Sequence, residues 1–311
     1  MISNILQFFV GALFLYYGAE SLIKGSKAVA VKFNLSPVII GITLVSLGTS
    51  LPELIVSILA NLRGEPGIVI GNVIGSNVAN IGLVLGITAI LSPIHFPFKK
   101  IRYDMYFLIV ITFFPLGFIF MGDLVLWQGM FLILIFVIYC VSLIKRNQLD
   151  YQENKSTVYI NSILLMVHVI IGIVGLAVGA IFFVEGAKGI ALVLGVSSIV
   201  IGMSIVALGT SLPELAASLT AAKHGETGLV IGNIVGSNIM NIVLVLGISI
   251  VFRDIPLDFT EIITQGFFLA ILTVALLILL KWQDRITKLS GIILSLIYIV
   301  FLYFNFQSTS G

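Results

Sequence analysis

Residues 41–87 recur as residues 202–248 at a constant offset of 161, without a gap, and 29 of the 47 positions are identical. At the centre of each copy stands the same octet, LGTSLPEL, at 47–54 and 208–215. Each octet interrupts an apolar run, and few folds accept a proline and a glutamate there. With 59% hydrophobic and 10% charged residues and a mean hydropathy of +1.20, the chain is too apolar for a soluble domain, which carries about 25% charged residues. Long unbroken apolar runs indicate membrane helices, since barrel strands would alternate at every second residue. A carboxylate in such a helix costs about 2.5–3.5 kcal/mol unless it has partners. The fold must therefore supply partners twice.

Ten segments are long enough to span, near 3–24, 37–62, 67–92, 104–121, 124–144, 159–184, 198–222, 228–251, 261–280 and 287–305. The first lacks a basic leader and a cleavage site, so it reads as a retained helix. Turn residues mark the joints, as in NLSP at 34–37, RGEPG at 63–67 and HGETG at 224–228. With the N-terminus outside, 13 Lys and Arg fall in inner joints; only Arg63, Lys188 and Arg253 fall in outer ones. That bias predicts both termini on the outer side of the cell membrane. Five spans separate matching points of the two copies, and an odd number inverts the second relative to the first. The expectation is an all-α membrane protein of two inverted five-helix repeats, 1–145 and 159–311, joined by a short inner linker at 146–158. Helices 2 and 7 are expected to be broken.

The residues kept between the copies are the polar ones, including Thr49/Thr210, Ser50/Ser211, Glu53/Glu214, Asn72/Asn233, Ser76/Ser237 and Asn80/Asn241. Pro52 has no N–H and its ring crowds the Gly48 carbonyl, so the helix should open and free carbonyls near 45–48. Thr49 and Glu53 share a face, with Ser50 beside them. In the next span Asn72, Ser76 and Asn80 recur every fourth residue as one polar stripe, repeated by Asn233, Ser237 and Asn241. Gly71/Gly75 and Gly232/Gly236 form small-residue pairs that let another backbone approach closely. Hydroxyls, amides and freed carbonyls around two carboxylates make a ligand set for hard cations such as Na⁺ and Ca²⁺. Two carboxylates balance one Ca²⁺, or roughly two to three Na⁺. No Lys or Arg lies at that depth, which disfavours anions.

Other features carry less. Cys140 stands alone in an apolar run and reads as filler. His95, His168 and His224 have no metal-ligand spacing, and Glu20 and Glu185 read as charges at helix ends, with acids lining the ion's way in as the second reading. Neither a nucleophile–base pair nor an HExxH motif appears, so an enzyme is the least favoured class. Inverted copies with interrupted helices also weigh against an open channel.

The paired GTSLPE and GNxxGSNxxN segments resemble the α-repeats of the Ca²⁺/cation antiporter superfamily, especially its prokaryotic Na⁺/Ca²⁺ exchanger branch. The resemblance covers essentially the whole chain. It implies Na⁺-driven Ca²⁺ antiport by alternating access, with ions held between helices 2, 3, 7 and 8 and helices 1 and 6 sliding over the rest. Carried over by motif position, the ligands are Ser46, Thr49, Ser50, Glu53, Ser76 and Asn80, then Ala207, Thr210, Ser211, Glu214, Ser237 and Asn241. Ser46 and Ala207 would act through their carbonyls. No cofactor, nucleic acid or protein partner is implied; the partners are the two ions and the bilayer. Relatives often bear Asp where Asn241 stands, and those that carry K⁺ have aspartates at such positions, so Asn241 argues against K⁺ coupling. H⁺/Ca²⁺ exchange, with the glutamates titrating, is the alternative within transport. The 145–158 joint is too short for the Ca²⁺-sensing domain of animal exchangers.

Overall fold

A computed structural model describes residues 1–118, 122–150, 162–194, 207–256 and 259–308. Helix α1 is Ile2–Phe33, followed by a second segment built as α2 (Pro37–Ile40), a π-helical turn (Gly41–Val45), α3 (Ser46–Thr49) and α4 (Leu51–Arg63). Next come α5 (Pro66–Ala79), a π-helical turn (Asn80–Leu85) and α6 (Gly86–Leu91), then α7 (Arg102–Phe118) and α8 (Leu126–Asp150). After α9 (Ser162–Val193), the pattern returns as α10 (Ala207–Gly209), α11 (Leu212–Lys223), α12 (Thr227–Met240), a π-helical turn (Asn241–Val245) and α13 (Leu246–Phe252). Helices α14 (Phe259–Gln283) and α15 (Lys288–Ser308) close the described chain.

Seven of these segments are long and apolar enough to cross a membrane, and the bent pair Pro37–Thr49 and Leu51–Arg63 makes eight. This is an all-helical, multi-pass membrane architecture. Of the other two expected spans, α7 is helical over 17 residues, while 198–206 lies outside the described residues.

Burial separates core from periphery. The α5–α6 and α12–α13 spans are 78% and 83% buried within the protein, whereas the other long helices reach only 22–39%. The polar stripes therefore sit on the two of these seven long spans that are most buried.

Two helices run longer than their expected ends. Both α1 and α9 have 32 residues, or about 48 Å at 1.5 Å per residue, well beyond a hydrocarbon core of about 30 Å. The first does not stop near Lys24 but continues to Asn34, whose left-handed backbone (φ 54°) ends it. Lys27 and Lys32 sit on this extension, and Lys27 reaches Glu226 in another joint. Glu185 pairs instead within its own helix, 3.9 Å from Lys188 on α9, which continues to Val193. Helix α8 likewise runs through 146–150 of the expected linker, and residues 151–158 lie outside the described residues.

Joints are stitched in pairs. Strand β1 (Ile94–His95) pairs antiparallel with β2 (Arg285–Ile286), and Lys27 meets Glu226 at 2.8 Å. At the other end of the bundle, Leu124 bridges Ile255, and Asn61 donates to the carbonyls of Ser249 (2.6 Å) and Arg253 (2.7 Å). The turn glycines expected in RGEPG and HGETG adopt positive φ, 79° at Gly64 and 72° at Gly225. Each closes its helix with the same two backbone bonds.

Candidate functional site

The break in the second segment falls at Ser50, where the backbone leaves helical geometry (φ −86°, ψ 5°) and the axis turns by 45°. Pro52 then occupies the first turn of α4, where a missing N–H costs nothing. Glu53 follows in that same turn. The second copy matches: Ser211 has φ −87° and ψ 2°, and Glu214 stands in the first turn of α11. Each break thus creates a helix N-terminus inside the protein, whose free N–H groups favour a negative charge.

Both glutamates are fully buried. The two copies also cross over. The Ser50 hydroxyl donates to Glu214 Oε1 at 3.1 Å, and Thr49 Oγ1 donates to Asn233 Oδ1 at 3.2 Å. On the stripe helices, Asn80 Nδ2 donates to Asn238 Oδ1 at 3.1 Å.

Each stripe also has a holding role. Asn72 Nδ2 donates to the Glu53 carbonyl (3.0 Å) and to Ser57 Oγ (2.8 Å). Asn233 repeats this with the Glu214 carbonyl (3.5 Å) and Ser218 Oγ (3.1 Å). These asparagines clamp the start of each broken helix and so fix where its glutamate points. Ser57 and Ser218 were not expected as site residues, although their identity between the copies was a usable signal. The close approach expected of Gly232 and Gly236 is present: a Cβ on Gly236 would lie 2.5 Å from Ile42 Cα. At Gly71 and Gly75 an added Cβ would meet nothing within 4 Å among the described residues, so the close approach expected there is not seen.

Of the expected ligands, Ser46, Thr49, Ser50, Glu53, Ser76, Asn80, Ser211, Glu214, Ser237 and Asn241 are all buried. Thr210 is half-buried, and Ala207 opens α10. The Ser46 carbonyl is not left free: it accepts the Ser50 N–H at 2.9 Å, with the Thr49 hydroxyl, whose one proton goes to Asn233, 3.3 Å away. The bond lost to Pro52 is instead the one Gly48 would have received. Asn80 and Asn241 each begin a π-helical turn, a local unwinding often found at functional sites.

Unpaired oxygens concentrate here. Among the described residues, both Glu53 oxygens, Glu214 Oε2, Asn80 Oδ1, Ser211 Oγ and both polar atoms of Asn241 are buried with no hydrogen-bond partner. Buried polar atoms in folded proteins are almost always satisfied. So many orphans in one cluster, mostly oxygens, make a cage suited to a cation. No three His, Cys, Asp or Glu side chains converge among the described residues. The cage is thus mostly neutral oxygen with two acids.

A third acid is buried away from this cage. Asp104 accepts from Tyr139 Oη (2.8 Å) and pairs with Arg146 at 2.6 Å. It is compensated locally and does not belong to the cluster. Glu20 also has partners, His224 at 2.8 Å and Lys223 at 3.5 Å.

Comparison with known proteins bears on what this arrangement is. Residues 3–145 and 164–307 match a family model described as sodium/calcium exchanger protein. The chain is 38% identical to an uncharacterized membrane protein of Methanocaldococcus jannaschii over 303 residues, covering 96% of this chain and 97% of that one. It is 31% identical to the sodium/calcium exchanger MaX1 of Methanosarcina acetivorans over 346 residues, again 96% and 97%. Its fold is similar to a solved structure of the sodium-calcium exchanger NCX_Mj soaked with Na⁺ and Sr²⁺, with a TM-score of 0.84, 37% identity and coverage of 96% and 97%.

Proposed function

This chain belongs to the sodium/calcium exchanger protein family, and from that premise we propose that it exchanges Na⁺ for Ca²⁺ across the cell membrane by alternating access. The observation that carries this reading is the cluster of orphaned oxygens around Glu53 and Glu214. Glu53 and Glu214 bind the ions directly. Thr49, Ser50, Thr210 and Ser211 add hydroxyl oxygens, and Ser76, Asn80, Ser237 and Asn241 complete the cage from the stripe helices. Ser46 and Ala207 contribute carbonyls; that of Ser46 keeps a second lone pair beyond the Ser50 N–H.

The two acids carry −2. One Ca²⁺ cancels it, and two or three Na⁺ roughly match it, so either load leaves the buried site close to neutral. An empty site holds two uncompensated charges, which is costly away from water. That cost discourages the empty carrier from switching sides and ties Ca²⁺ movement in one direction to Na⁺ movement in the other. If three Na⁺ exchange for one Ca²⁺, each cycle moves one charge, worth about 2.3 kcal/mol per 100 mV.

Ten crossings in two inverted repeats, with both termini outside, provide the frame. The stitching of joints supports it: β1 and β2 join two joints counted as inner, while the Leu124–Ile255 bridge joins two counted as outer. In that frame the long pair α1 and α9 slides over the remaining helices. The deciding experiment loads proteoliposomes with Na⁺ and follows Ca²⁺ uptake under imposed Na⁺, H⁺ or K⁺ gradients. Uptake should follow the Na⁺ gradient and ignore K⁺. Uptake driven by pH and indifferent to Na⁺ would transfer the reading to H⁺/Ca²⁺ exchange, and leak without a counter-ion would make the protein a channel.

A further inference from the structure

A second charged feature lies away from the ion cage. Between the start of α7 and the end of α14 is a cavity of about 530 Å³ lined by Phe98, Lys99, Arg102, Tyr103, Tyr106, Lys281 and Asp284. Three of its side chains are cationic and one is acidic, a net charge of +2. Asp284 is occupied, accepting the Phe98 N–H at 2.6 Å. Among the described residues none of Lys99, Arg102 and Lys281 has an ion-pair partner. The guanidinium of Arg102 is fixed in place: it lies 4.5 Å from the Tyr103 ring centre and donates to Tyr103 Oη at 2.7 Å. Its Nε is buried, so its terminal nitrogens are what a ligand would meet. Three cations without counter-charges around one cavity, one of them held against a ring, make an anion site.

The surroundings identify the anion's source. The cavity lies on the side where Lys and Arg concentrate, at the level of an aromatic belt made by Tyr103, Tyr106 and the exposed Trp282. Below it, Val110 and Phe113 continue the exposed face of α7, and Ile278, Val274 and Ile271 that of α14. A charged socket thus opens directly onto a strip that acyl chains would cover. Basic pockets between membrane helices on the cytoplasmic side take phospholipid head groups. We propose that this cavity binds the phosphate of an anionic phospholipid of the inner leaflet, with Arg102 and Lys281 on the phosphate oxygens, Lys99 at the rim and the acyl chains along α7 and α14.

The test uses the full-length protein, purified and stripped of lipid, then incubated with phosphatidylglycerol or phosphatidylcholine of the same chain length. Native mass spectrometry should find phosphatidylglycerol retained about tenfold or more over phosphatidylcholine, as a few charge contacts predict. Lys281→Gln should weaken that preference, and Arg102→Gln/Lys281→Gln should remove it. Thermal unfolding without lipid checks that each variant is folded, and the exposed Lys281→Gln keeps the test open if the double variant is not. Equal retention of the two lipids, or a preference unchanged in a folded variant, overturns the proposal. Competition by inorganic phosphate as strong as by the lipid overturns the lipid assignment and leaves a site for a soluble anion.

Discussion

Replacing Glu214 by Gln tests the cage with little change of shape. The Ser50 hydroxyl donates to Glu214 Oε1 at 3.1 Å, and an amide oxygen accepts the same bond. The side chain is fully buried, so the substitution alters charge and not solvent contact. In the proposed cage, Ca²⁺ then faces a net −1 and one of its charges stays uncompensated. Removing one partner of a buried charge pair costs about 3–5 kcal/mol. At 1.4 kcal/mol per factor of ten, Ca²⁺ binding should weaken by roughly two to three and a half orders of magnitude. The ion-free protein should behave oppositely. Loss of one buried acid removes its repulsion with Glu53, so the midpoint of thermal unfolding without Ca²⁺ should hold or rise. Two measurements decide it: Ca²⁺ uptake into Na⁺-loaded proteoliposomes across a range of Ca²⁺, and thermal unfolding with and without Ca²⁺. Half-saturation within about threefold of the unaltered protein, at full rate, would refute the charge argument. A fall in ion-free stability with transport intact would make Glu214 a structural acid instead.

Three further substitutions probe what holds the helices together. In Gly172→Ala, the new Cβ would lie 2.5 Å from the Leu22 backbone nitrogen; α1 and α9 must part, and thermal unfolding in detergent should show a loss of about 1–3 kcal/mol. Asn61→Ala removes both bonds to the Ser249 and Arg253 carbonyls; since the first keeps the Arg253 N–H and the second belongs to an exposed residue, it should cost about 0.5–1.5 kcal/mol per bond lost in the same assay. Asp104→Asn strips Arg146 of its counter-charge and should destabilise by about 1–3 kcal/mol. Asp104→Asn/Arg146→Met should recover much of that loss, and a double variant no better than the single would show that the pair is not the source.

How much of this was legible in the sequence depends on whether the physics is local. The breaks at Ser50 and Ser211 follow from Pro52 and Pro213, and the helix ends at Gly64 and Gly225 from turn chemistry within four residues. The site residues came forward because duplication held polar positions fixed while neighbours drifted. Where the cause is non-local the sequence was silent. Helix α1 passes Lys24 because Lys27 finds Glu226 and Glu20 finds His224, partners about two hundred positions away. Asp104 looked like the mouth of a span, yet Tyr139 and Arg146 of the next helix bury it. The π-helical turns at Asn80 and Asn241 have no simple residue signature, since they reflect how a carbonyl ladder yields to packing around it.

The two copies share their motif residues but only some of their contacts, and that difference is itself informative. Ser50 donates to Glu214, whereas Ser211 Oγ has no partner among the described residues. Asn80 bonds Asn238, whereas Asn241 and Asn77 make no such bond between their side chains. Thr49 is fully buried and Thr210 half-buried. Identical residues in one chain have the same intrinsic preferences, so only their surroundings can divide them. On the proposed inverted arrangement, the two copies face opposite sides of the membrane, and a cage open to one side cannot surround both alike. Exchanging the two sets of surroundings would give a second structure of similar energy, open to the other side. Alternating access then requires no element beyond the repeat, and unequal contacts between equal residues are what such a carrier should display whenever it rests on one side.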